Sequence, residues 1–211
     1  MSDWAIHFGT VFMAFFAIMN PIANAPIFVG LCEELDPDER RQVALRAILL
    51  SFGIVAGFAL LGREIFAVFG ITLPAFQIAG GLIVAIVGYH MLQGQHSPVH
   101  APRAADIAGS RDAALGIAIS PLALPVLAGP GTIATAMNFA AQASGSELAS
   151  VLAAFALDCI LTWICFAASG SLIRFLGQHA ISVVTRLMGL ILAVIGVQMV
   201  VAGTRAAIGA G

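Results

Sequence analysis

The chain has 211 residues and a formal net charge of −2, with 60% apolar residues, 9% charged residues and 22 glycines. A soluble domain carries roughly a quarter of its residues as charges, so this sequence cannot wet a whole surface and must present one to lipid. No basic stretch is long enough to track a phosphate backbone, which excludes nucleic acid as a partner.

The N-terminus opens on Asp3 rather than a basic cluster, and no small-residue cleavage site follows its apolar run. It therefore reads as a first mature span, not a cleavable signal. Crossing the hydrocarbon core takes about 20 apolar residues. Six segments meet that length, near Trp4–Leu31, Val43–Leu61, Ile71–Leu92, Ala113–Ala141, Leu148–Leu172 and Ile181–Gly203. The connection Cys32–Gln42 is acidic then basic, and residues 93–112, with His96, Pro98, His100, Pro102 and Gly109, read as a polar loop. With six spans, Arg40, Arg41, Arg46, Arg103, Arg111, Arg174 and Arg186 share one face, while only Arg63 and Arg205 lie on the other. The positive-inside rule puts the first face in the cytoplasm and both termini outside.

Sliding the chain against itself by 108 residues lays Gly81–Met91 on Gly189–Met199 with six of eleven positions identical, both glycines among them. Phe58, Ala59, Gly62 and Ile65 fall on Phe166, Ala167, Gly170 and Ile173 at the same offset, and Pro21 falls on Pro130 at 109. Each half holds an odd number of spans, so the second enters the membrane from the opposite side. The expected fold is an all-α membrane protein, one domain over 1–211, of six transmembrane helices in two inverted-topology three-helix repeats (about 1–94 and 113–211). That architecture is typical of secondary transporters. Gly81 and Gly88, like Gly189, Gly196 and Gly203, recur every seven residues, a stripe that lets helix backbones approach closely.

The first and fourth spans should be broken. The first contains Asn20-Pro-Ile-Ala-Asn-Ala-Pro-Ile-Phe28; the fourth contains Pro121-Leu-Ala-Leu-Pro125 and Ala128-Gly-Pro-Gly-Thr-Ile133. Proline removes a donor, clashes with the preceding turn and disfavours helix in the residue before it. Prolines this dense are expected to unwind the chain, and unwound backbone at membrane depth survives only against protein or a watery cavity. Asn20 before Pro21 and Gly129 before Pro130 have the form of an N-cap followed by proline in the first turn. Two helices restarted there would aim free amides and positive dipole ends at a carboxylate. The candidate substrate-binding residues are Asn20, Pro21, Ala23, Asn24, Pro26, Pro125, Gly129, Pro130, Gly131 and Thr132.

Asp158 lies near the centre of the fifth span, with no Lys or Arg within that span. A carboxylate at that depth costs about 2.5–3.5 kcal/mol even on the mildest scale. It is the candidate for coupling to a proton or Na+. Gln77 and Gln198 are candidates for lining the same cavity, while Asn138 reads as structural. Cys159 and Cys165 read as small apolar residues, and His96 and His100 flank a proline that spoils a metal-binding face. No metal or resident cofactor is expected.

The motifs at Asn20–Phe28, Pro121–Pro125 and Ala128–Ile133 resemble those of the MarC family, also described as SnatA-like membrane proteins. The resemblance covers essentially the whole chain. It implies a six-span inner-membrane protein of bacteria or archaea, associated with transport of small neutral amino acids such as glycine and alanine on an ion gradient. The first motif commonly has Gly where this chain has Ala23, a change that would narrow the pocket or stiffen the break.

The expectation is a secondary active transporter, not an enzyme, moving a small zwitterion by alternating access. Its rivals are a channel or exporter for another small solute, or a structural membrane subunit. An intramembrane enzyme would need a second acid, a nucleophile–base pair or a metal cluster at membrane depth.

Overall fold

The computed structural model describes residues 3–32, 35–94, 127–143 and 145–209, and the regular elements among them are all α-helices. The first expected span is two helices, α1 (Asp3–Met19) and α2 (Pro21–Leu31), divided at Asn20. Helix α3 (Pro37–Phe69) starts at a capping box: Asp36 accepts from the amides of Asp38 and Glu39, and the Glu39 carboxylate accepts from the Asp36 amide. It ends at Gly70, whose φ of 64° is left-handed. Helix α4 (Leu73–Leu92) closes the first half; α5 (Pro130–Gln142), α6 (Gly145–Ala167) and α7 (Ser169–Gly209) form the second.

Five stretches among the described residues are long and apolar enough to cross a membrane: Trp4–Leu31, Pro37–Gly62, Leu73–Leu92, Gly145–Ala167 and His179–Gly209. Their outer faces carry large apolar side chains, such as Leu190, Val194, Val197 and Val201 along α7. Those stripes suit lipid. The fourth expected span is described only from Leu127, so Pro121, Pro125, His96, His100, Arg103 and Arg111 lie outside the described residues.

Three expectations need correction. Helix α3 outruns the expected Val43–Leu61 at both ends, because its cap at Asp36 and its stop at Gly70 are local backbone signals that hydropathy does not register. The fifth span ends at Ala167 rather than Leu172. The Ala168 carbonyl accepts from the amides of Ser171 and Leu172, which starts α7 at once. Helix α7 then bends at Gly177 (φ 70°, ψ 162°), leaving a short arm with Arg174 and Phe175 exposed. Finally, unwinding in the first motif is confined to Asn20, and Pro26 sits inside α2. One interior proline removes a single hydrogen bond and bends a helix without ending it.

The glycine stripes form an antiparallel seam between α4 and α7. A Cβ on Gly81 would lie 2.6 Å from the Gly196 carbonyl, and one on Gly88 would lie 2.6 Å from the Gly189 carbonyl. Gly203 closes against Pro74 in the same register. Backbones this close leave no room for any side chain, so packing and dispersion hold the pair where lipid supplies no hydrophobic drive. An exchange of halves at the 108-residue offset carries the Gly81–Gly196 contact onto Gly189–Gly88.

Among the described residues the remaining packing runs mostly between the halves. Helices α1 and α2 pack on α6 and α7, α3 packs on α5 and α6, and α4 packs on α5. One apolar cluster joins Phe15, Phe28, Leu127, Phe155 and Phe166; a second joins Ile18, Val84, Val87, Leu192 and Met199. The break at Asn20 lies where these clusters meet.

Candidate functional site

Asn20 alone, among described non-glycine residues, has a positive φ (39°). Asparagine tolerates the left-handed region better than other L-residues because its short amide bonds locally. Its Oδ1 accepts from the Ala23 amide at 3.3 Å, capping α2, and Pro21 at the first position has no N–H to leave unpaired. Asn24 reaches back across the break, its Nδ2 donating to the Met19 carbonyl at 2.6 Å. The two asparagines thus hold the end of α1 against the start of α2. The Asn20 Nδ2, in a residue only 2% exposed, has no partner among the described residues.

A second helix start, that of α5, adjoins the break at Asn20. Gly129 is the N-cap of α5 without a side-chain cap hydrogen bond, and Pro130 follows it. A Cβ on Gly131 would lie 2.6 Å from Ile18 Cδ1, so the first turn of α5 rests on the last turn of α1. Thr132 is fully buried and its hydroxyl has no partner among the described residues, as is true of Thr135 one turn on.

Two aromatic contacts set the height of Asp158. Phe15 meets Phe155 with ring centroids 4.8 Å apart, and Phe28 lies flat on Phe166 at 4.6 Å. The first span and α6 therefore run in the same direction, with one contact on each side of the break. Asn20 follows Phe15 by five residues and Asp158 follows Phe155 by three, which puts Asp158 within about one helical turn of the break. Its side chain is fully buried, and both carboxyl oxygens lack partners among the described residues. Leaving a buried polar group unpaired costs about 1–3 kcal/mol, and more for a charge. Asn20, Thr132 and Asp158 carry that cost at one level of the molecule, from three helices. Ala23 is buried in the same turn; Pro125 lies outside the described residues.

The family model for MarC family integral membrane proteins matches residues 5–208. The chain belongs to the MarC family. It is 40% identical over 206 residues to the membrane protein YvbG of Bacillus subtilis, covering 97% of this chain and 96% of that one. It is 36% identical over 203 residues to a membrane protein of Methanocaldococcus jannaschii (96% and 98% covered), and 32% identical over 195 residues to the inner membrane protein MarC of Escherichia coli (88% of each). No solved structure matches it. It is thus a multi-pass integral membrane protein of the MarC family.

In this MarC-family chain Gln77 and Gln198 line one cavity of about 220 Å³, apart from the breaks, with Thr10, Ala14, Asn138 and Gln142. Asn138 joins it: its Oδ1 accepts from Gln77 Nε2 at 2.9 Å and from Gln142 Nε2 at 3.2 Å. The sequence signal for this cluster is the Asn138–Gln142 pair, one turn apart on α5.

Proposed function

We propose that this MarC-family protein is a secondary active transporter of small neutral amino acids, with the solute held at the paired breaks. The observation carrying the reading is the meeting of two helix starts, at Asn20 and Gly129, beside the buried Asp158, which has no partner among the described residues. The N-termini of α2 and α5 offer amides and positive dipole ends to the carboxylate of a zwitterion. Asn20 Nδ2 and Thr132 Oγ1 add donors, while Asn24 fixes the break. Asp158 takes the coupling proton or Na+. No resident cofactor is needed, and the chemistry is that of a carrier rather than an enzyme.

An inverted-topology repeat is supported by the antiparallel α4–α7 seam, whose contacts exchange under the 108-residue offset. Because packing runs chiefly between the halves, neither half can rock as a unit. Alternating access here moves α1, α2, α5 and α6 around the α4–α7 seam. The arginine distribution supports both termini lying outside, in a bacterial or archaeal cytoplasmic membrane.

The test is Asp158→Asn in proteoliposomes supplied with labelled alanine. Alanine binding should remain measurable while the pH or Na+ dependence of uptake disappears. A dependence unchanged from the wild type removes Asp158 from the mechanism.

A further inference from the structure

We propose that the Gln77–Asn138–Gln142–Gln198 cluster is a second solute subsite, holding a small zwitterion on its way to or from the breaks; this rests on the transporter reading above. The cup lies toward the face shared by the starts of α1, α4 and α6 and the ends of α5 and α7. Gln142 is the last residue of α5, and Gln77 is one turn into α4. Thr10 on its rim precedes Asn20 by ten residues, about 15 Å along α1 at the helical rise. The cup is therefore distinct from the breaks, with α5 linking the two: its first turn lies at the break and its last turns floor the cup.

Its chemistry selects the ligand. Asn138 Oδ1 takes both hydrogen bonds from its neighbours, and Gln142 Nε2 also donates to the Asn138 carbonyl. That leaves Asn138 Nδ2 as a donor, Gln77 Oε1 and Gln142 Oε1 as acceptors, and both ends of the Gln198 carboxamide, none bonded within the described residues. Gln77 and Asn138 are 5% and 8% exposed, so their groups are fixed, while Gln142 and Gln198 lie exposed at the rim. Among the described residues no charged side chain lines the cup. A lone cation or anion would satisfy one set and strand the other, whereas an ammonium and a carboxylate on one small molecule use both. Ala14 and Met199 leave an apolar wall for a short side chain. A volume near 220 Å³ exceeds the space of one water, about 30 Å³, several-fold. Simple interhelical bonding accounts for Gln77, Asn138 and Gln142 but not for Gln198, exposed and unbonded on an apolar helix.

The test uses the full chain in oriented proteoliposomes. Gln198→Leu should raise the KM for labelled alanine about fivefold, the worth of one hydrogen bond, when alanine is offered at the face bearing the termini. KM from the opposite face should not change, and Gln198→Asn should recover part of the loss. Gln198→Cys, with Cys165→Ala, should react with a membrane-impermeant maleimide from the terminus face only, and alanine should slow that reaction. Wild-type transport with KM unchanged at both faces and no alanine protection overturns the subsite while sparing the transporter. An equal KM change at both faces also overturns it. Wild-type protein that neither binds nor transports alanine, glycine or serine overturns both readings.

Discussion

The α4–α7 seam and the break region show opposite ways of using small residues at membrane depth. At the seam, Gly81, Gly88, Gly189 and Gly196 bring two helices into backbone contact. Where α2 and α5 begin, Ala23, Gly129 and Gly131 surround the two helix starts, and Asn20, Thr132 and Asp158 are buried with bonding capacity unused among the described residues. The seam's glycines serve packing, whereas the proposed function assigns the break residues to ligand handling. A mutation should therefore cost fold in the first and ligand handling in the second.

The largest effect is expected at the seam. A Cβ at Gly196 would lie within contact of the Ala85 backbone, which no rotamer change can relieve. Gly196→Leu should abolish monodisperse protein in size-exclusion chromatography, exceeding the roughly 1–3 kcal/mol usual for overpacking. Gly80→Ala, whose Cβ would lie 3.0 Å from Ala134 Cβ, should yield folded protein with a lowered melting temperature.

At the break, Asn20 separates backbone from side-chain roles. Asn20→Ala loses the cap and strains a positive φ, and should cost about 1–2 kcal/mol of thermal stability. Asn20→Gly keeps the left-handed backbone and should cost only a few tenths of a kcal/mol. Both should lose alanine binding in a thermal-shift titration. If Asn20→Gly binds like the wild type, Nδ2 does not touch the solute and the contrast between regions is weakened.

The smallest effect concerns Cys32, in the turn after α2. Burial pushes its thiol up to about 11, with Arg40 pulling partly the other way. Because a raised thiol pKa favours the neutral form, maleimide labelling of Cys32 in folded protein should stay slow at pH 8 and accelerate only as pH approaches that value. Rapid labelling at pH 8 would show that the end of α2 opens readily.

Much of the seam was legible in the sequence, because a seven-residue glycine repeat declares close helix packing by itself. The helix starts at Asn20 and Gly129 were legible for a similar reason: an N-cap followed by proline is a local signal. Pro26 misled, since density of prolines cannot tell a broken helix from a bent one. The link between Gln77 and Asn138 spans 61 positions and depends on how α4 lies against α5, so Asn138 read as a lone packing residue. Asp158 was conspicuous, but its level with Asn20 follows from the Phe15–Phe155 and Phe28–Phe166 contacts. The preponderance of packing between halves over packing within them has no signature in hydropathy at all.

The most direct test of a carrier built around paired breaks is counterflow of labelled alanine into proteoliposomes preloaded with unlabelled alanine. The account predicts transient accumulation of label above equilibrium that saturates with external alanine and is lost in Asn20→Gly. Flux that rises linearly with concentration without overshoot would contradict it and favour a channel.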